Sequence, residues 1–195
     1  MKTKIILALF LGATLIALQA QASIVEVNGV KLEDRVDIRG SSLQLNGSGV
    51  RSKDGLAVYN AALYLSQKAA TTDAVLAGPG SKRLSLTMLR DVKSDELGRL
   101  FTHRMDDNAG KGSLSRMVPG LIHMGQIFSQ HQKLRAGETV TIDWLPNEGI
   151  LISVKGQAQG LPFNDPEFSS ALMKIWLGNS PADLQLKDAL LGKRI

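Results

Sequence analysis

The period of the apolar positions changes several times along the chain, and each change marks an element. The first third reads as strands. Ile24 to Val27 and Val30 to Leu32 flank Asn28-Gly29, a strong hairpin signal, and Ser42 to Leu45 alternates in the same way before Asn46-Gly47. Leu56 to Ser66 fits a long strand or a short helix by period alone, and its aromatic and β-branched residues favour the strand. Arg83 to Arg90 alternates Leu84, Leu86 and Met88 with Ser85 and Thr87, the pattern of a half-buried strand.

Helical spacing follows. Ser94 is placed to cap a helix running to about Asp107, with Asp95 and Glu96 in its first turn and Leu97, Leu100, Phe101 and Met105 as its inner stripe. A second helix is expected from Leu114 to Gln130, which Pro119 and Gly120 either kink or begin. Thr139 to Leu145 and Ile150 to Lys155 form a hairpin across Pro146-Asn147-Glu148-Gly149. Asn164 then caps a helix ending near Gly178, and Ser180-Pro181 opens a last one, closed by Gly192. The order predicts an α+β fold, a largely antiparallel sheet with helices grouped on one side.

Residues 1–22 follow none of these periods. Lys2 and Lys4 precede a 14-residue apolar run, Ile5 to Leu18, and Ala20-Gln21-Ala22 has the small-x-small form of a cleavage site. This is the pattern of a secretory signal. The alternative, an uncleaved anchor, asks for about 20 apolar residues and makes no use of Ala-x-Ala. The expected division is a signal peptide over 1–22 and one domain over 23–195, exported and in a periplasm, with no transmembrane segment in the mature chain.

The 195-residue chain carries a formal net charge of +5, and losing two lysines with residues 1–22 leaves +3. The arginines are scattered among Asp and Glu, so no basic face for nucleic acid is expected. The chain has no cysteine, which excludes disulfides, thiolate metal sites and a cysteine nucleophile. About two thirds of the unfolded surface of a chain this long is buried on folding, enough for a core without staples.

Catalytic constellations are sparse. His103, His123 and His131 share no metal-ligand spacing. Gly110-Lys111-Gly112-Ser113 lacks the upstream glycine of a phosphate loop, and Gly47-Ser48-Gly49 lacks the third glycine of a dinucleotide fingerprint. Nothing calls for a metal or a cofactor. Met105, Met117, Met124 and Met173 fall on helical apolar positions, as core fillers or as the lining of an adaptable lipid-type pocket.

One local feature stands out. In Leu45-Asn46-Gly47-Ser48-Gly49-Val50-Arg51, two glycines permit a bulge or a close backbone approach just before an arginine, and a strand with two tyrosines follows. Read alone, Arg51 is better explained as a surface residue after a turn. The wider sequence, however, resembles the chalcone isomerase-like family, in its bacterial exported branch. The segment 45–51 is similar to that family's Gly-x-Gly-x-Arg, Ala61-Ala62-Leu63-Tyr64-Leu65 and Leu86-Thr87-Met88-Leu89-Arg90-Asp91 to its next strands, and 168–178 with 186–192 to its closing helices.

The resemblance implies an open-faced β-sandwich, a large antiparallel sheet whose helical layer encloses an apolar cleft. It includes plant enzymes that cyclise chalcones, fatty-acid-binding relatives and relatives without turnover. In the first two, the arginine matching Arg51 faces a phenolate or a carboxylate. The enzymes also use a threonine, a tyrosine and an asparagine, whose positions fall here on Tyr59 or Asn60, near Leu97 and near Arg104. Leucine polarises no carbonyl, and the only tyrosines are Tyr59 and Tyr64. The expectation is a non-catalytic protein binding a fatty acid or similar small amphipathic carboxylate, with Arg51, Tyr59 and Tyr64 as ligand-binding residues. The alternatives are an isomerase or lyase of chalcone isomerase type and a ligand-free interaction protein. In the last, Arg51 would be paired internally with Asp54 or Asp91.

Overall fold

The computed structural model describes residues 23–110 and 112–193, so the signal-peptide expectation lies outside the described residues. The chain begins with a ribbon of β1 (Ile24–Val27) and β2 (Val30–Glu33), turning at Asn28-Gly29 as its sequence requires. Ser23, just ahead of it, donates its backbone N–H to Asp34 Oδ1 and its hydroxyl to Asp34 Oδ2, both at 2.7 Å. Strands β3 (Arg35–Ile38), β4 (Ser41–Lys53), β5 (Leu56–Leu65) and β6 (Lys82–Met88) follow, with the short helix α1 (Thr72–Ala77) between the last two.

A two-residue strand β7 (Val92–Lys93) leads into α2 (Ser94–Asn108). A 3-10 turn (Leu114–Met117) and α3 (Val118–Ser129) come next, then β8 (Lys133–Leu134), which pairs with β7. The hairpin β9 (Thr139–Leu145) and β10 (Gly149–Val154), the short β11 (Gln157–Ala158), α4 (Pro166–Leu177) and α5 (Leu184–Leu190) complete the described chain.

The main sheet is antiparallel throughout, ordered β11-β10-β9-β6-β5-β4-β3. Its inner face presents Tyr59, Ala61 and Leu63 from β5, Leu84, Leu86 and Met88 from β6, and Val140 and Ile142 from β9. The helices cover that face. Phe101 of α2 and Trp176 of α4 meet edge to face at 5.1 Å. The outer face is covered in part by the β1–β2 ribbon, over Leu43, Ala62, Tyr64 and Leu145. There Arg83 grips Asp143 with two hydrogen bonds, at 2.6 and 2.7 Å, which raise the guanidinium's pKa further. The α+β class with helices on one side is as expected.

Several boundaries differ from the sequence pattern. Asn46-Gly47 is no turn; β4 runs straight through it. Lys93 rather than Ser94 precedes α2, and the Ser94 hydroxyl is buried without a hydrogen-bond partner. Pro119 marks the start of α3, because its ring fits the first turn and not the interior. Asp165, not Asn164, caps α4, accepting from Phe168 N at 3.0 Å. The last helix starts after Asp183, which caps it by accepting from Leu186 N, and not at Ser180-Pro181.

Candidate functional site

The site is built by a change of phase in β4. Before Asn46, Leu43 and Leu45 face outward, and Leu45 pairs with Tyr64. The register slips between Leu45 and Gly47, so Asn46 is a bulge and the odd positions after it turn inward. Gly47, Gly49 and Arg51 then share the inner face, opposite Leu63, Ala61 and Tyr59. Asn46 itself is buried and pinned: its amide donates to Ala69 O at 2.9 Å and Leu190 O at 2.7 Å, and accepts from Ala69 N at 2.8 Å.

The two glycines are the seat of α5. A Cβ on Gly47 would lie 2.0 Å from the Ala189 carbonyl oxygen, and one on Gly49 2.7 Å from the Ala189 Cβ. Both readings of the glycine pair, bulge and close approach, therefore hold at adjacent positions. Two residues further along the same face stands Arg51, and its neighbour Ser52 donates its N–H to the α5 cap Asp183 at 3.2 Å. A second irregularity beside Arg51 makes Val58 the extra residue of β5.

Arg51 is 6% exposed, yet among the described residues its guanidinium makes no hydrogen bond and no ion pair, and its Nε is buried without a partner. Asp91 is not its counter-ion: Lys133 Nζ at 2.6 Å and Ala136 N at 3.1 Å engage that carboxylate and hold its pKa below the usual range. Asp54 lies in the exposed turn after β4 and forms no ion pair among the described residues. Arg51 instead overlies the Tyr59 ring, 5.9 Å from its centroid. It opens onto a groove of about 760 Å³ whose apolar wall is Val58, Val92, Leu97 and Leu100. That volume is in the range of small-molecule sites.

The three sequence-predicted residues separate here. Tyr59 is fully buried under Arg51, and it presents its ring to the guanidinium. Its hydroxyl is engaged elsewhere, accepting from Trp176 Nε1 at 3.0 Å, and burial pushes the phenol up to about 12, with Arg51 opposing the rise. Tyr64 is five residues along the same strand and so faces the other side, under the β1–β2 ribbon, away from Arg51. Parity alone carries that distinction. Asn60, the other candidate for the threonine position, also faces outward, where it accepts from Ser48 at 3.0 Å.

Leu97 lines the groove where the resemblance places the enzymes' tyrosine, and none of the described residues lining the groove carries a hydroxyl. Two lining residues that sequence reasoning did not single out are Arg90 and Glu96. Arg90 shares the groove with Arg51 because Tyr59 pairs with both Arg51 and Met88, which brings the end of β6 one strand away from the end of β4, and Glu96 comes from the first turn of α2. Among the described residues no cluster of His, Asp and Glu is arranged to hold a metal ion, and no helix is long and apolar enough to cross a membrane.

Comparison with known proteins agrees with this architecture. A crystal structure of a fatty-acid binding protein from Arabidopsis thaliana superposes with a TM-score of 0.67 over 87% of this chain and 96% of that one, at 14% sequence identity. No curated protein matches the sequence. The profile described as chalcone isomerase-like matches residues 24–192, nearly all of the described chain, and the protein belongs to the chalcone isomerase-like family.

Proposed function

We propose that the protein is an exported, non-catalytic member of its family that binds a fatty acid or similar small amphipathic carboxylate in the groove at Arg51. One observation carries the reading: a nearly buried guanidinium with no ion pair among the described residues, at the end of an apolar wall. A buried unpaired charge is costly, and a ligand carboxylate gripped by two parallel bonds removes that cost. The likeness to a fatty-acid binding protein supports the ligand class. Tyr59 contributes its ring beneath the guanidinium, and Tyr64 takes no part. Leu97, standing where the resemblance places the enzymes' tyrosine, supports the absence of turnover, since leucine polarises no carbonyl.

The test is mass spectrometry of lipid carried by the purified protein, with titration of dodecanoate into it and into Arg51→Ala. Bound carboxylate in the first and a loss of affinity of about tenfold or more in the second are expected. Unchanged affinity in the variant would remove Arg51 from the site. Turnover of a chalcone above its spontaneous rate would overturn the non-catalytic part. The export reading rests on residues 1–22 and places the protein in a periplasm; recovery of a chain beginning at Ser23 from that compartment tests it.

A further inference from the structure

Arg51 is one of several cations in its groove. Five cationic side chains, Arg51, Lys53, Arg90, Lys93 and Arg99, line it against two carboxylates, Asp91 and Glu96. Two of these seven are already engaged elsewhere: Asp91 by Lys133, and Arg99 by Asp95 at 2.8 Å. Of the carboxylates lining the groove Glu96 alone is then left to four cations, while Asp183, just outside the lining, accepts from Ser52 N at 3.2 Å.

Glu96 holds two of them, and loosely. Its Oε1 stands 3.7 Å from Lys53 Nζ and 3.9 Å from Arg90 Nη2, beyond hydrogen-bond distance from either. The Arg90 guanidinium has one weak hydrogen bond, Nη1 to Asp91 O at 3.4 Å, and its Nε is buried without a partner, as is that of Arg51. Two guanidinium groups with spare donors thus line one groove, and the Glu96 carboxylate beside Arg90 and Lys53 is hydrogen-bonded to neither.

A monocarboxylate has two oxygens and one charge. It satisfies the Arg51 fork and leaves Arg90 and the two lysines with Glu96 as their one lining carboxylate. A phosphate monoester has three terminal oxygens, accepts from two forks at once, and carries close to two charges at neutral pH because its second pKa is about 6. We propose that the groove is built for an amphipathic ligand with a doubly charged phosphate monoester headgroup held between Arg51 and Arg90, with Glu96 as the internal anion it displaces. The inference rests on the binding reading above and sharpens its ligand class.

Dodecyl phosphate and dodecanoate share a tail and differ in the headgroup, so they isolate the point. Each is titrated into the purified protein below its micellar concentration at neutral pH and about 0.15 M ionic strength. Dodecyl phosphate is expected to bind about tenfold more tightly. Arg90→Gln should abolish that advantage while leaving dodecanoate affinity within about threefold, and Glu96→Gln should raise affinity for dodecyl phosphate. Both side chains are more than a third exposed, so the variants should fold, which circular dichroism checks. Arg90→Lys, which keeps the charge and loses the fork, should fall between.

Equal affinity for the two ligands, or an Arg90→Gln variant that weakens both alike, overturns the inference and leaves the carboxylate reading standing. Binding of neither ligand overturns both.

Discussion

The guanidinium carbon of Arg51 lies 5.9 Å from the centre of the Tyr59 ring, while the hydroxyl at the end of that ring accepts a hydrogen bond from Trp176 at 3.0 Å. One side chain therefore serves the groove with its face and the core with its oxygen. Tyr59→Phe keeps the ring and strands the indole N–H in the core. Stability should fall by about 1–3 kcal/mol in denaturant titration, with ligand affinity changed less than about twofold. A large loss of affinity would mean that the hydroxyl, and not the ring, serves the site.

Tyr59 and Tyr64 are the only tyrosines, and burial is the main cause that pushes each up to about 12. Between pH 10 and 12 the unfolded chain releases two protons that the folded chain keeps. The stability present below pH 10 is therefore lost as pH rises through 12, at about 1.4 kcal/mol per tyrosine per pH unit. Tyrosinate absorbance in the native protein should stay flat near pH 10 and appear only close to 12 or together with unfolding. A midpoint near 10 with native structure intact would contradict the burial of both rings.

Gly47 and Gly49 should tolerate alanine unequally. At Gly47 the new methyl would meet the fixed backbone oxygens of Ala189 and Leu190, at 2.0 and 2.8 Å, whereas at Gly49 it would meet the Ala189 methyl at 2.7 Å. Gly47→Ala should cost about 3 kcal/mol or more by lifting α5, and Gly49→Ala about 1–3 kcal/mol. Thermal melting of the two variants orders them. The reverse order would mean that α5 does not rest on β4 as described.

Asn46→Ala removes a side chain that makes one buried and two partly buried hydrogen bonds and holds the bulge. Loss of about 2–4 kcal/mol is expected, because Ala69 N–H and two carbonyls lose their partner. Since the bulge decides which face Arg51 takes, anion affinity should fall along with stability. Retained affinity in a folded variant would show that the phase of β4 is fixed without Asn46.

Much of this was written in local patterns, and the remainder in pairing. Alternation over Leu84, Leu86 and Met88 and over Val140 and Ile142 gave the middle of the sheet, since a strand half-covered by helices must alternate. Asn46-Gly47 misled because the same dipeptide suits a hairpin turn and a bulge, and only the seating of α5 decides between them. Strand β3 and helix α1 carried too few periods to register. Arg51 drew notice through its two glycines, but only the family resemblance made it a candidate, because the same local pattern suits a surface residue after a turn. Arg90 was not, because its place beside Arg51 depends on β5 lying between β4 and β6, a long-range fact with no local signature.

The grip of Asp34 on Ser23 bears on how the chain would be processed. In the uncut chain the nitrogen held by Asp34 Oδ1 is a neutral peptide amide. Hydrolysis of the Ala22–Ser23 bond would turn that same atom into a primary ammonium, already in place against a carboxylate whose pKa the Ser23 contacts lower. A neutral donor would become an ionic clasp on the edge of the β1–β2 ribbon, so proteolytic maturation would fasten the end it creates.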